Sequence, residues 1–164
     1  EFTHRMCRDW EQAALAFEDS ARVCLSRTGL VIGRGGGFLQ QMLPLFRMGL
    51  GGRLGKGTQY MPWIHRNDMV EGLIHLLEHP ELSGPFNLTA PNPVTNREFT
   101  RVLGQVLGRP AVLPAPSPAL KLALGEMARL LLTGQKAIPE KLLNSGYEFH
   151  YPELEAALKE AVQS

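Results

Sequence analysis

The chain has 164 residues, of which 44% are hydrophobic and 20% charged, and its net charge is +1; that suffices for one domain with a buried core, or a small domain plus part of another. Lysine and arginine are scattered along the sequence, which argues against a nucleic-acid partner or an anionic membrane surface. No apolar run approaches the roughly 18 residues of a membrane span, so the chain reads as cytoplasmic.

The opening "EFTHRMCRDWE" lacks an initiator methionine and enters helical periodicity at once, as expected of a piece of something longer. Met6, Trp10, Ala14 and Phe17 recur at spacings of three and four, which predicts a helix over about 3–18 with one apolar face. "ARVCLSRTGLVIG" (21–33) follows as a buried parallel strand rich in β-branched residues, and "FLQQMLPLFRMG" as a short helix limited by Pro44. "QYMPWI" (59–64) reads as a short extended segment that Pro62 keeps out of the middle of a sheet. Asn67 or Asp68 caps the next helix, which runs to about Glu78, with Glu71 in capping-box register. "PFNLTA" is the second convincing strand. Thr95 and Glu98 form another capping box, opening a helix that Gly108-Arg109-Pro110 ends.

From Pro110 the texture changes to a proline-rich entry, with Ser117 and Pro118 starting a strongly apolar helix. A short helix follows from Pro139 to Ser145-Gly146, and a last one from Pro152 with Leu154 and Leu158 as its buried stripe. The strand–helix alternation implies an α/β fold with parallel crossovers. The expected division is 1–109, the C-terminal part of a Rossmann-type sheet with the cleft segments, and 110–164, a small helical domain. Two parallel strands cannot cover a sheet, so partner strands are expected in a segment upstream.

The stretch "GLGGRLGKGTQYMPWIH" (49–65) invites a phosphate-loop reading, which its residues refuse. A Walker A loop would need Ser or Thr where Gly57 stands and Gly where Leu50 stands, and no register completes G-x-G-x-x-G. We read it as a mobile crossing that delivers "QYMPWIH" to a cleft, with Arg53 and Lys56 on a solvated loop or meeting a substrate phosphate. Cys7 and Cys24 have no C-x-x-C partner and are expected to be reduced, with one or both buried. The five histidines show no zinc-binding pairing, so no metal is expected; His75 and His79, four apart before Pro80, suit the negative end of a helix better than a metal.

With "RTG", "GLGG", "WIH..D", "NLTAPNPV" and "GQK..P" in this order, the whole chain resembles the C-terminal half of atypical, extended-type short-chain dehydrogenase/reductases of the epimerase family (sugar-nucleotide-epimerase-like), which end in a small domain of unknown function. The resemblance implies an N-terminal half carrying the glycine fingerprint for NADP or NAD; this chain by itself is expected to bind no dinucleotide tightly and to be inactive. It further implies that Arg27, Thr28 and Gly29 end the strand that passes under the nicotinamide. The plainer reading pairs Arg27 with a carboxylate and uses Gly29 to relieve crowding. Gln59, Tyr60, Trp63 and His65 fall where the family's substrate cleft opens, and His65 is the one candidate for acid–base work; against this, an apolar segment favours a core Trp and a structural His. Asp68 suits a helix cap better than a catalyst.

Many extended members use a Tyr-x-x-x-Lys pair as a proton relay; the matching positions here hold Thr3 and Cys7, which can serve neither as phenol nor as cation. The expected function is therefore the substrate-binding half of an NAD(P)-dependent oxidoreductase or nucleotide-sugar-epimerase-like isomerase acting on a small polar or nucleotide-linked substrate. The alternative is a non-catalytic dinucleotide-binding sensor or assembly factor, and a third reading, a free-standing helical interaction module, would leave apolar surface exposed. Expected partners are the N-terminal half and, in its absence, a second copy of the chain in a homodimer.

Overall fold

The computed structural model describes residues 2–115 and 132–163. In chain order the elements are α1 (Phe2–Leu15), β1 (Cys24–Thr28), β2 (Leu30–Ile32), α2 (Gly37–Arg47), β3 (Tyr60–Met61), β4 (Trp63–His65), α3 (Arg66–Glu78), β5 (Gly84–Leu88), β6 (Val94–Thr95), α4 (Asn96–Leu107), α5 (Glu140–Asn144) and α6 (Leu154–Val162). The fold is α/β, with β1 parallel to β5, β2 parallel to β4, and β3 antiparallel to β6. The Ser117 cap, Pro118 and the apolar helix they open lie outside the described residues.

Two sequence expectations change here. The run 21–33 is two strands, and the described sheet residues form three short pairs where two strands were expected. The break is at Gly29. Its amide donates to the Leu88 carbonyl at 3.0 Å, extending the β1–β5 ladder, while the Leu30 amide turns to the Pro62 carbonyl at 2.7 Å. A Cβ on residue 29 would sit 2.7 Å from that same Pro62 oxygen, so the switch of partner strand requires glycine. β1 is also less buried than expected: Ser26, Arg27 and Thr28 are exposed, because among the described residues it is paired along one edge only.

Side-chain alternation divides the interior in two. Ile32 and Trp63 point into a cluster with Leu39 and Phe46 of α2, Phe99 and Leu103 of α4, and Leu154, Ala157 and Leu158 of α6. Val31 and Ile64 point the other way, toward Leu76, Phe86, Leu88, Leu142 and Tyr147. Both faces of the short parallel strands are thus covered. The first cluster also shows that residues beyond Pro110 pack into the same core as β2 and α4; the α6 stripe of Leu154 and Leu158 is fully used.

Helix ends follow local chemistry, with one reassignment. Thr95 caps α4 by accepting the Glu98 amide at 3.3 Å, and Gly108 ends that helix with φ 61; the Glu98 carboxylate turns to Arg101 instead of closing the box. α3 is capped by His65, whose Nδ1 accepts the Asn67 amide at 3.3 Å, and not by Asn67 or Asp68. Asp68 is spoken for elsewhere, and Glu71 pairs with His150 at 3.3 Å. The carbonyl end of α3 is closed by Arg22, which donates to Leu76 and Leu77 oxygens at 2.8 and 3.1 Å, and by His79 Nδ1 on the His75 carbonyl at 2.8 Å. Pro44 lies well inside α2, which runs on to Arg47. Cys7 is exposed and Cys24 half-buried, so neither is a core residue. No described helix is long and apolar enough to cross a membrane.

Candidate functional site

The glycine-rich crossing between α2 and β3 is tied down by its own amides. Gly55 N–H donates to the Ala115 carbonyl at 2.9 Å and Gly57 N–H to Leu54 at 3.0 Å, while Ala115 N–H returns to Arg53 at 2.9 Å. Leu54 N–H goes to Asn96 Oδ1 at 2.8 Å. Donors already engaged by protein carbonyls are not a phosphate cradle, which is what the failed motifs implied. The expectation of a mobile crossing is corrected too: it is a laced segment that fixes β3.

β3 in turn forms one wall of a cleft of about 420 Å3, to which Thr28, Gly29, Gln59, Tyr60, Asn96 and Gln135 all contribute. Four of the residues singled out from sequence, Thr28, Gly29, Gln59 and Tyr60, therefore meet in one cavity although Gly29 and Gln59 lie 30 positions apart. Another side is the segment 133–135. Gly134 lies against the Tyr60 backbone so closely that a Cβ there would overlap the Tyr60 carbonyl oxygen. Lys136 Nζ stands 5.8 Å from the centre of the Tyr60 ring, a cation–π distance. Asn87 Nδ2 holds the Ile138 carbonyl at 3.0 Å, so the "GQK..P" motif is a strap across the ends of β3 and β5. Its contribution to the cleft had no local signal in the sequence.

Asn96 was also missed. It is buried, and between its Oδ1 bond to Leu54 N–H and an Nδ2 contact of 3.2 Å to Met61 sulfur it locks the crossing to β3. Following Thr95 it reads only as the first residue of a capped helix.

Arg27 faces away from this cleft. Its Nε and one terminal nitrogen each lie 2.7 Å from the two Glu11 oxygens, which raises the guanidinium pKa and holds the Glu11 carboxyl below its usual range. This is the carboxylate pairing weighed as the plainer reading. Arg27 and Thr28, with Cys7, Arg8, Trp10 and Glu11, border a second, wider groove of about 1040 Å3 between α1 and the outer edge of β1. Thr28 and Gln135 border both cavities.

Trp63 and His65 lie outside the cleft, in the core. Trp63 is 1% exposed and its indole N–H donates to the Asn92 carbonyl at 3.2 Å. His65 is 0% exposed, stacked 3.8 Å from the Tyr151 ring. Because Nδ1 accepts the Asn67 amide, the proton sits on Nε2, which donates to Glu160 at 2.9 Å. The same Glu160 receives Arg34 at 3.1 Å. His65 is thus a joint between the start of α3 and the end of α6, with both ring nitrogens engaged.

Asp68 makes a second such joint. Its carboxylate accepts the His150 amide at 2.8 Å and the Tyr151 amide at 2.9 Å, and Tyr147 Oη donates to Oδ1 at 3.3 Å. Burial, then the Asp68 charge, push the Tyr147 pKa upward. At the other end of α3, His75 Nε2 donates to Ser145 Oγ at 2.9 Å; desolvation, then the neighbouring His79, lower its pKa. Among the described residues no three His, Cys, Asp or Glu side chains are grouped to hold a metal.

Comparison with known proteins accounts for this arrangement in two segments. Residues 115–161 match the domain of unknown function DUF1731. Epimerase family protein MT2273 of Mycobacterium tuberculosis is 48% identical over 159 residues, covering 96% of this chain and 53% of that protein; the human epimerase family protein SDR39U1 is 45% identical over 163 residues, 99% of this chain and 56% of that one. The chain spans about half the length of the curated relatives it matches. The crystal structure of human SDR39U1 (isoform 2) with NADPH superimposes with a TM-score of 0.84 at 46% identity, covering 87% of this chain and 49% of that one. A nucleoside-diphosphate sugar epimerase from Corynebacterium glutamicum gives 0.74 at 31% identity over 99% of this chain and 31% of its own. Residues 3–89, more than half of the chain, fit the NAD dependent epimerase/dehydratase family, and it is to this family that the chain belongs.

Proposed function

We propose that this chain is the substrate-side portion of an NAD(P)-dependent epimerase-family protein, and that the cleft between Thr28, Gln59, Tyr60 and Gln135 receives a small polar or nucleotide-linked substrate. The observation that carries the reading is the convergence of Thr28, Gly29, Gln59 and Tyr60 on one cavity of about 420 Å3, within the size range of small-molecule sites. A relative solved with NADPH supports a nicotinamide cofactor for the longer protein, where it would exchange a hydride with the substrate. The described residues offer that cofactor a flank and no cradle. Thr28 sits where β1 ends, open to both cavities, and its hydroxyl is suited to hydrogen-bond a ring substituent. The amides of Gly55 and Gly57 are committed to protein carbonyls, so the pyrophosphate must be held elsewhere.

Titration of the chain with NADPH by calorimetry is expected to show no affinity tighter than about millimolar, since the amides of Gly55 and Gly57 in the crossing and of Arg97 and Glu98 at the start of α4 are already bonded within the chain and leave no anion-binding turn there. Adding, as a separate chain, the part of the Mycobacterium tuberculosis relative that this chain does not cover is expected to bring micromolar binding. Micromolar binding by the chain alone would overturn the division of labour.

A second reading, a dinucleotide-holding sensor or assembly factor without turnover, is favoured by Cys7. It stands where a family relay would place lysine, and it is exposed on the rim of the wider groove, beside Arg8 and Glu11. A thiol there supplies no fixed positive charge to acidify a phenol.

A further inference from the structure

Arginines that look scattered in the sequence are gathered by the fold. α4 and the segment 109–114 enclose a groove of about 590 Å3 bordered by Arg53, Arg97, Arg101 and Arg109. It shares no lining residue with the Thr28–Tyr60 cleft.

The charges there are poorly compensated. Arg101 is neutralised by Glu98, its Nε 3.1 Å from one carboxylate oxygen, and it also lies within the field of Glu155. Among the described residues the Arg97 guanidinium donates only to the Lys56 carbonyl, at 3.3 Å. Arg53 and Arg109 make no side-chain hydrogen bond or ion pair with any described residue. Arg97 and Arg101 are moreover four apart on α4, a like-charge spacing that disfavours a helix. A chain with a net charge of only +1 thus holds three arginines, Arg53, Arg97 and Arg109, with no carboxylate partner among the described residues around one concavity.

The groove is not merely a charged rim. Ala111 and Val112 give it an apolar side, against which Gly104 packs so closely that a Cβ there would come within 2.7 Å of the Ala111 methyl. Its wall also contains Thr100, whose buried hydroxyl has no hydrogen-bond partner among the described residues, an unusual state for a buried polar group. The volume exceeds what a lone phosphate fills and suits a ligand of nucleotide size. Guanidinium groups pair with phosphate oxygens and stack on planar rings.

We propose that this groove is an anion site for a nucleotide, with Arg53, Arg97 and Arg109 on its phosphates and the 110–112 side against its base. The site is separate from the substrate cleft but touches the same two segments, since Arg53 adjoins Leu54 and Arg97 adjoins Asn96, the pair whose hydrogen bond fixes the crossing.

Calorimetric titration of the chain with ADP, inorganic pyrophosphate and adenosine, at 50 and at 300 mM salt, tests this. Expected are ADP binding at tens to hundreds of micromolar, at least threefold weaker pyrophosphate binding, no adenosine binding, and a loss of affinity with salt. Arg53→Gln with Arg109→Gln should weaken ADP at least tenfold with an unchanged thermal melt, because neither side chain has a partner to lose among the described residues. ADP-induced amide shifts should fall at residue 53 and within residues 97–112. Absence of ADP binding, equal affinity for pyrophosphate, indifference to the double substitution, or shifts confined to the strand around Tyr60 would each overturn the assignment.

Discussion

Replacing Asp68 by alanine should loosen the C-terminal segment from α3, and the size of the effect follows from its contacts. The carboxylate accepts two backbone amides, of His150 and Tyr151, at 2.8 and 2.9 Å. Hydrogen bonds to a charged group contribute about 1.5–3 kcal/mol each. His150 is exposed and Tyr151 half-buried, so water can recover part of the loss, and about 3 kcal/mol remains. Asp68 also lies in the first turn of α3, where its charge favours the helix dipole by about 0.3–1 kcal/mol. Asp68→Asn keeps one acceptor oxygen and should lose roughly half as much. For a domain of this size, about 3 kcal/mol lowers Tm by about 6–12 °C. Thermal melts supply the magnitude, and amide hydrogen exchange the location: His150, Tyr151 and α6 should exchange faster while α4 does not. A loss of 1 kcal/mol or less with unchanged exchange at 150 and 151 would leave the dipole interaction as Asp68's whole role, and the joint described above would fall.

Tyr147 should make the protein sensitive to alkali. Its folded pKa is raised while an unfolded tyrosine ionises near 10, so its contribution is complete below pH 10 and is lost above it at up to about 1.4 kcal/mol per pH unit; denaturant melts at pH 9 and 11 should show that extra loss in the parent and not in Tyr147→Phe, and equal losses would refute it. At the other end of the fold, Trp10 and Phe17 are 66% and 64% exposed and β1 has one edge unpaired among the described residues, a combination that recruits another strand edge or apolar face. Sedimentation at low micromolar concentration should show a two-fold dimer, weakened at least tenfold by Trp10→Ser with Phe17→Ser. A monomer at tens of micromolar would count against it.

The parts legible from the sequence were those written in local chemistry. Thr95 followed by Glu98, Gly108 after Leu107, and the Leu154/Leu158 stripe each depend on neighbours within one or two turns, and each element lies where its pattern placed it. The parallel pairing of β1 with β5 and of β2 with β4 was legible as well, from the alternation of strands with helices, whereas the antiparallel pairing of β3 with β6 was not. Nor was the number of strands, because a two- or three-residue strand carries too few side chains to show a period, and because the change of partner at Gly29 is decided by Pro62, 33 positions away. The α3 cap went astray for a related reason. Asn67 and Asp68 both suit a cap, but Asp68 is drawn off by amides at 150 and 151, and the position falls to His65.

The same long-range demands separate the site residues. In "QYMPWIH", Gln59 and Tyr60 border the cleft, whereas Trp63 and His65 lie beyond Pro62 in β4, a strand covered on both sides, where a large side chain has only core to enter. A histidine placed there must satisfy two ring nitrogens without water, and it does so with one bond to the start of α3 and one to Glu160 in the last helix. Asp68 reaches residues 150 and 151 from one turn further on. Two adjacent turns of a segment that fits the epimerase family thereby hold the segment that fits the domain of unknown function. His65, the one acid–base candidate, and Asp68, expected as a cap, are the residues that fasten those two segments together, and they leave the cleft itself to Thr28, Tyr60 and the strap at Gln135.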